Sequence, residues 1–195
     1  MPAEGHTVRQ PIATERLTLR AWEPGDLEAL LAIHGDPERV RWVPFEPRSR
    51  EQAEEALARK ITQTTLREPG LGGIALAILE EPGAAPIGEL TFSYESREHS
   101  TAELGFMLVR EAEGRGYATE AAREMLRVGF KELDFHRVIG RIDARNTASA
   151  AVLERLGMRR EARHVDNEWI KGEWTSEDVY AILASEWGRA EPNGP

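Results

Sequence analysis

Two glycines separated by one residue are the first feature of this sequence that suggests chemistry. Gly114 and Gly116 flank Arg115 between an apolar run typical of a strand and a run with helical periodicity. Glycine lets a backbone approach a ligand closely, and the first N–H groups of a helix lack internal partners and carry partial positive charge. The segment therefore suits a pyrophosphate, although two glycines alone could equally form a plain turn.

Residue types that are missing or scattered narrow the chemistry further. The 195-residue chain has no cysteine, which excludes disulfides, thiolate metal sites and covalent cysteine catalysis. Its five histidines form no His-x-His or His-x-x-x-His pair, so we expect no metal. A net charge of −9 disfavours nucleic acid and anionic membranes, and weakly favours a cationic amine or basic peptide. No signal peptide or membrane-spanning run is present, and we expect a cytoplasmic protein.

The hydrophobic pattern predicts one α/β domain over residues 1–195, with a core of about 14–187. Predicted strands are Arg16–Trp22, Gly72–Glu80, Ile87–Glu95, Ser100–Val109, Arg137–Asp143, Arg159–Val165 and Asp178–Leu183. Predicted helices begin at Pro24, near Pro37 (a short piece to Trp42), at Ser49 (to about Leu66), after residue 117 (to about Phe130) and at Asn146 (to Leu156). Ser49 and Gln52 form a capping-box pair, and Lys60 falls among the inward positions of that helix. The order predicts a mixed sheet with a parallel crossover in its middle.

A second motif gives the glycine segment a context. The run Asn146-Thr-Ala-Ser-Ala-Ala-Val-Leu-Glu-Arg-Leu-Gly-Met158 resembles the Asn-x-x-Ser…Leu-Gly-Phe signature of GNAT acetyltransferases of the RimJ/RimL type, and residues 113–118 resemble their coenzyme A loop. Residues 14–20, 103–106, 117–121 and 178–183 resemble further parts of that branch. The resemblance implies a GNAT fold, with a mostly antiparallel central sheet, flanking helices and a splayed parallel strand pair. It also implies transfer of an acetyl group from acetyl-CoA to a primary amine, either a protein N-terminal α-amine or a small molecule.

The same resemblance implies a cofactor site. The pyrophosphate would bind the main chain of Glu113, Gly114, Arg115, Gly116, Ala118 and Thr119. The pantetheine arm would pair with the backbone of Phe106, Met107 and Leu108, with Asn146 on the other side. Splayed strands leave unpaired N–H and C=O groups that an amide-rich pantetheine can satisfy. The sequence departs from the family at Glu113, where Gln or Arg is usual, and at Leu153, where many members carry a tyrosine acid.

The candidate catalytic residues follow from this cofactor path. Glu103 lies in an apolar strand near the thioester end, and partial burial would raise its pKa and make it a better general base. Its alternative role is a structural hydrogen bond or salt bridge. By the same resemblance, Ser149 would donate a hydrogen bond to the leaving thiolate or relay a proton to it, with Tyr94 and Tyr180 as alternative acids. A strand N–H near residues 106–108 would bind the oxyanion. Without cysteine, direct attack in a ternary complex is favoured over an acyl-enzyme.

Three other interpretations stay open at this point. A dinucleotide-binding dehydrogenase would use Gly114-Arg-Gly-Tyr-Ala-Thr119 as its fingerprint, but Thr119 replaces the third glycine and a hairpin precedes the motif. A non-catalytic acyl-CoA-binding or sensory domain could share the fold. The donor could also be another acyl-CoA, such as succinyl-CoA. Neither the acceptor nor the oligomeric state follows from the sequence, although a homodimer is plausible.

Overall fold

A computed structural model describes residues 7–67, 69–70 and 72–190 of the chain. Within these residues there are eight strands: β1 (Ile12–Ala13), β2 (Thr18–Ala21), β3 (Ile74–Leu79), β4 (Gly88–Ser96), β5 (Thr101–Leu108), β6 (Arg137–Asp143), β7 (Arg159–Ile170) and β8 (Glu173–Leu183). The same residues form five α-helices: α1 (Leu27–His34), α2 (Arg50–Ile61), α3 (Tyr117–Lys131), α4 (Thr147–Arg155) and α5 (Ala184–Ala190). None of the helices in the described part of the chain combines the length and apolarity needed to cross a bilayer.

All eight strands form one sheet in the order β1-β2-β3-β4-β5-β6-β8-β7. Every neighbouring pair is antiparallel except β5 and β6, which are parallel. This parallel pairing runs only from Thr101 opposite Arg137 to Glu103 opposite Ile139. Beyond that point the two strands diverge, while β6 continues to pair with β8 as far as Asp143. The mixed, mostly antiparallel sheet with one parallel pair is confirmed.

Helices cover both faces of the sheet. On one face α3, α4 and α5 pack against side chains such as Phe92 and Val138. On the other face α1 and α2 pack against a smaller cluster that includes Trp22 and Ala77. All six residues of β3 are buried, because a central strand covered on both faces has no solvated side. The sheet therefore separates two layers, and only a gap between strands can connect them.

Several boundaries differ from the sequence-based predictions. The capping box is confirmed, since the Ser49 side chain accepts a hydrogen bond from the Gln52 N–H, but α2 ends at Ile61 instead of Leu66. The predicted helical piece over residues 37–42 is wrong: these residues form turns, and the segment returns to α1 where the Arg48 N–H donates to the His34 carbonyl oxygen at 2.9 Å. Residues 12–13, which lie before the predicted core of about 14–187, form β1.

The C-terminal hairpin is longer than its apolar pattern indicates. Strand β7 continues to Ile170 instead of ending at the predicted Val165. The apolar pattern did not indicate this length, because almost every side chain of β7 is exposed and no alternation of polar and apolar residues marks the strand. Lys171 and Gly172 both have positive φ, at 51° and 82°, as expected for the two central residues of a type I′ turn. Helix α5, which follows β8, was not predicted; its Trp187 is 1% exposed and packs in the larger core.

Candidate functional site

A single continuous cleft of about 1410 Å³ opens where β5 and β6 diverge. Its walls include residues 104–108 of β5 and 140–142 of β6, the segments that follow the last paired residues of the two strands and no longer pair with each other. One end reaches the glycine loop and the first turn of α3, and the other reaches the segment between α1 and α2. The cleft therefore passes through the gap in the sheet, so that two ligands could meet inside it from opposite faces.

The glycine loop presents backbone N–H groups to the cleft. Gly114 and Gly116 have φ values of +71° and +83°, in the left-handed region that other residues rarely adopt, and Gly116 is the N-cap of α3 without a capping side chain. Within the described residues, the N–H groups of Gly114, Arg115, Gly116, Ala118 and Thr119 have no acceptor. Such a ring of unsatisfied donors at a helix N-terminus is a site for an anion.

The N–H of Glu113, which the family resemblance assigns to the pyrophosphate, is bonded within the protein. Its N–H donates to the Arg110 carbonyl oxygen at 3.1 Å and closes a short 3-10 turn. That donor is therefore already used within the protein. The side chain, which would place a negative charge near phosphates, forms an ion pair with Arg39. Because the Arg39 side chain is only 13% exposed and lies in the segment after α1, this contact joins the segment to the loop and neutralises the carboxylate.

Charged side chains hold the loop in place. Glu120 in the first turn of α3 forms an ion pair with Arg16 at 2.7 Å, and Arg16 donates to the Arg115 carbonyl oxygen at 3.0 Å. The Arg115 guanidinium itself pairs with Glu80 at 2.7 Å and lies over the Tyr117 ring. The side chain of Arg115 is thus directed to Glu80, and its main chain remains the part that faces the cleft.

Two arginines that the sequence analysis did not identify line the cleft beside the loop. Arg123 of α3 and Arg155 of α4 have no carboxylate partner among the described residues, and Arg123 donates only to the Arg155 carbonyl oxygen at 3.2 Å. They leave two uncompensated positive charges near the free N–H groups. The sequence held one signal, since Arg123 follows Gly116 by seven residues, about two helical turns, and so lies on the same side of α3.

The walls of the gap bring together most of the predicted contacts. Phe106, Met107 and Leu108 line the cleft and have no partner strand on the β6 side. Opposite them, the Asn146 side-chain oxygen accepts a hydrogen bond from the Ser149 N–H at 3.1 Å and caps α4. Its amide NH₂ group remains available to a ligand. Ser149 also lines the cleft.

Glu103, the predicted general base, is not among the residues that line the cleft. It lies at the last pairing position before the strands diverge, and its carboxylate accepts a hydrogen bond from Arg141 at 2.6 Å. Arg141 also pairs with Glu95 at 2.6 Å and does line the cleft. Burial raises the pKa of Glu103, and the Arg141 charge opposes that rise without cancelling it. The structural salt bridge and the raised pKa thus occur in the same residue.

Tyrosine acids at the predicted positions are not supported by the geometry. Leu153 is 1% exposed and packs under Gly140, where a Cβ atom would lie 3.0 Å from the leucine Cδ2. Tyr180 is buried and donates to Glu154 at 3.3 Å, and Tyr94 packs on the Phe135 ring. Neither tyrosine is among the described residues that line the cleft. Ser149 is the predicted acid that does line it.

The far end of the cleft contains a buried polar network that sequence reasoning missed. His34 Nε2 lies 2.8 Å from Glu89 Oε1, and Lys60 Nζ lies 2.5 Å from Glu89 Oε2 in an ion pair that lacks hydrogen-bond geometry. Burial alone would raise the pKa of Glu89, but the Lys60 charge and the His34 hydrogen bond lower it to about 2. Arg48 donates to His34 Nδ1 at 2.9 Å and stacks on Phe45. All five side chains line the cleft.

Metal chemistry has no visible basis in the described residues, which contain no group of three or more His, Asp or Glu side chains placed to bind an ion. The cleft instead combines unsatisfied backbone donors, a strand edge and a charged network. These groups suit a long ligand with phosphates and amides at one end, and a smaller polar ligand at the other.

Comparison with known proteins agrees with this geometry. Residues 16–159 match the family described as the acetyltransferase (GNAT) domain. The chain is 31% identical over 176 residues to the uncharacterized N-acetyltransferase YnaD of Bacillus subtilis, covering 90% of this chain and 98% of YnaD. It is 28% identical to YdaF of the same organism, for which a ribosomal N-acetyltransferase activity has been proposed, over 89% and 94% of the two chains. A GNAT-family acetyltransferase of Bacillus anthracis has the same fold, with a TM-score of 0.80, 29% identity and coverage of 89% and 98%. The chain therefore belongs to the GNAT family and is an N-acetyltransferase of that family.

Proposed function

We propose that this protein transfers an acetyl group from acetyl-CoA to a primary amine by direct attack in a ternary complex. The observation that carries the proposal is the single cleft that joins the free N–H groups of the glycine loop to the gap between β5 and β6. The loop would bind the pyrophosphate, and the unpaired edge of β5 would bind the amides of the pantetheine arm. The acceptor would then enter from the α1 and α2 face.

The phosphate end of the cofactor would be held mainly by backbone. The donors would be the N–H groups of Gly114, Arg115, Gly116, Ala118 and Thr119. Glu113 would lie beside the pyrophosphate without donating to it, because its N–H is already bonded to Arg110. Along the arm, the backbone of residues 106–108 would pair on one side and the Asn146 amide on the other. Arg123 and Arg155 would add positive charge for the remaining phosphate of the coenzyme.

The chemical step requires a neutral amine, a polarised carbonyl and a protonated leaving group. The amine nitrogen would form a bond to the thioester carbonyl carbon, and its proton would pass to Glu103, directly or through water. An N–H of β5 near residues 106–108 would donate to the oxyanion. As the C–S bond breaks, Ser149 would donate a hydrogen bond to the leaving thiolate and relay a proton to it from water, so that coenzyme A leaves as the free thiol and the serine keeps its own proton. No acyl-enzyme is needed, consistent with a chain that has no cysteine.

The direct test is a screen of amines with acetyl-CoA in which the release of free thiol is measured. Calorimetric titration with coenzyme A comes first and should show one site. Tight NAD binding without coenzyme A binding would overturn the assignment. If coenzyme A binds but no α-amine, polyamine or amino compound is acetylated, the protein is a non-catalytic acyl-CoA-binding domain and the proposed acetyl transfer is wrong. Succinyl-CoA is tested in parallel, and thiol release with succinyl-CoA alone would identify it as the donor.

The finer assignments belong to the same proposal. We place the protein in the RimJ/RimL-type branch, with either a protein N-terminus or a small molecule as acceptor, and the relative YdaF supports the first class. We also propose a cytoplasmic location, no nucleic-acid or membrane partner, and a homodimer. Light scattering of the purified chain tests the dimer, and a monomer at all concentrations would refute it.

A further inference from the structure

We propose that the amine acceptor carries a carboxylate, and that Arg48 binds this group at the far end of the cleft. The inference rests on the proposed acetyl transfer and narrows its substrate class to amino-acid-like amines. It comes from the charges around Arg48, which is partly buried and yet forms no salt bridge with an Asp or Glu among the described residues.

Arg48 is a cleft-lining arginine without a carboxylate in reach. Its Nη1 donates to His34 Nδ1 at 2.9 Å, and its guanidinium stacks on the Phe45 ring at 4.4 Å from the ring centre. No Asp or Glu among the described residues forms a salt bridge with it. Burial lowers the pKa of Arg48, and the nearby Glu89 charge only partly opposes this effect. A partly buried guanidinium with free N–H donors is a site for an anion.

The carboxylate of Glu89 cannot neutralise Arg48 because other groups already use it. Lys60 lies 2.5 Å from one of its oxygens and His34 lies 2.8 Å from the other. Arg48 can only donate, so His34 Nδ1 is the acceptor and the ring proton lies on Nε2, which donates to Glu89. With two cations, Arg48 and Lys60, and one carboxylate, Glu89, these side chains have at least one excess positive charge at the surface of the cleft.

The network also fixes the direction of the guanidinium. Glu89 sets the tautomer of His34, His34 accepts from one end of Arg48, and Phe45 covers one face of its plane. The remaining N–H groups keep the planar fork that binds a carboxylate with two parallel hydrogen bonds. This local positive charge contrasts with the net charge of −9 for the whole chain. Long-range attraction thus favours a cationic group, whereas the far end of the cleft selects an anionic one, and an amino acid has both.

The test compares matched acceptors that differ only in the carboxylate, such as phenylalanine with phenethylamine, lysine with cadaverine and alanine with ethylamine. We expect kcat/KM to be higher for the acid in at least one pair by about tenfold or more, the scale of a charge-assisted bidentate contact. The variant Arg48→Gln should bring that ratio close to one by weakening the acid alone. Arg9→Gln is the matched control, because Arg9 is an exposed residue that does not line the cleft and has no ion pair among the described residues. It should leave the ratio unchanged.

The possible outcomes separate this inference from the proposed function. Acetylation of amines with no preference for the acid, or with the same preference in Arg48→Gln, refutes the carboxylate site and leaves the acetyl transfer intact. Failure to acetylate any amine refutes the acetyl transfer itself. Coenzyme A titration verifies that each variant is folded, and Arg48→Lys, which keeps the charge but not the fork, should retain only part of the ratio. Full retention by lysine would refute bidentate recognition.

Discussion

Glu89 gives the sharpest test of the electrostatics in the cleft. Its side chain is buried, and Lys60 and His34 lower its pKa to about 2 against 4.5 for a free glutamate. A carboxyl group shifted in this direction stabilises the folded state by about 3 kcal/mol at pH 7. The variant Glu89→Gln keeps the volume but leaves the Lys60 ammonium buried without its counter-charge. We therefore expect a loss of about 3 to 5 kcal/mol in the free energy of unfolding.

Urea denaturation at several pH values measures this loss, with fluorescence of the buried Trp22 and Trp187 as the signal. Because the pKa is lowered by folding, the contribution of Glu89 is complete above pH 4.5 and is lost as the pH falls toward 2. The gap between wild type and variant should therefore narrow by about 1 kcal/mol between pH 7 and pH 3.5. Glu55→Gln is the matched control, since Glu55 is an exposed residue of α2 that forms no ion pair with any other described residue.

Two results would contradict this reasoning. A loss below about 1 kcal/mol at pH 7 would mean that the ion pair does not stabilise the fold as its burial indicates. A gap that stays constant or widens at low pH would mean that Glu89 is not the titrating group. The double variant Glu89→Gln with Lys60→Met separates the causes, because it removes the unpaired ammonium and should recover much of the lost stability.

Three further predictions concern the cofactor end and the base. Gly116→Ala and Gly83→Ala both put a side chain at φ near +83° and should each cost about 1 kcal/mol of stability, but only the first should weaken coenzyme A binding by calorimetry. Arg39→Gln should weaken that binding about tenfold by freeing the Glu113 carboxylate beside the phosphates, and Glu113→Gln in the same chain should restore it; no recovery would show that Arg39 acts otherwise. Glu103→Gln should lower kcat about 100-fold. It should also remove the part of the rise in kcat/KM that follows ionisation of Glu103, which lies above pH 4.5 because burial raises the pKa of this residue, and leave only the rise that follows deprotonation of the amine; an unchanged profile would leave Glu103 a structural role.

The cofactor end was predictable because its signals are local in the chain. The apolar run of β5, the two glycines and the amphipathic α3 follow one another within residues 101–131, and each reports its own backbone conformation. The diverging strands followed from the family resemblance, and the register confirms that their pairing ends at Glu103. The contact between Glu113 and Arg39 could not be predicted, since it joins two loops 74 positions apart whose path depends on the whole fold.

The acceptor end was hidden because its residues come from separate elements. His34 ends α1, Lys60 is in the last turn of α2, and Glu89 is in β4, 55 positions after His34. One sign was present in the sequence, because the helical pattern places Lys60 among the inward-facing positions of α2. A lysine directed to the interior requires a buried counter-charge, but several glutamates could have supplied it. Only the register that puts Glu89 opposite Met107 identifies which one does.

The two ends of the cleft offer different kinds of groups to the ligands that we propose. At the glycine loop the donors are backbone N–H groups, so that side chains there could change while the donors remain. At the far end the groups are a few charged side chains, and each of them depends on the others through Glu89. Substitutions at Arg48 should then alter the choice of amine without changing the affinity for coenzyme A. Under our proposal, the choice of acceptor can thus change without a change in donor binding, although both ligands occupy one continuous cleft.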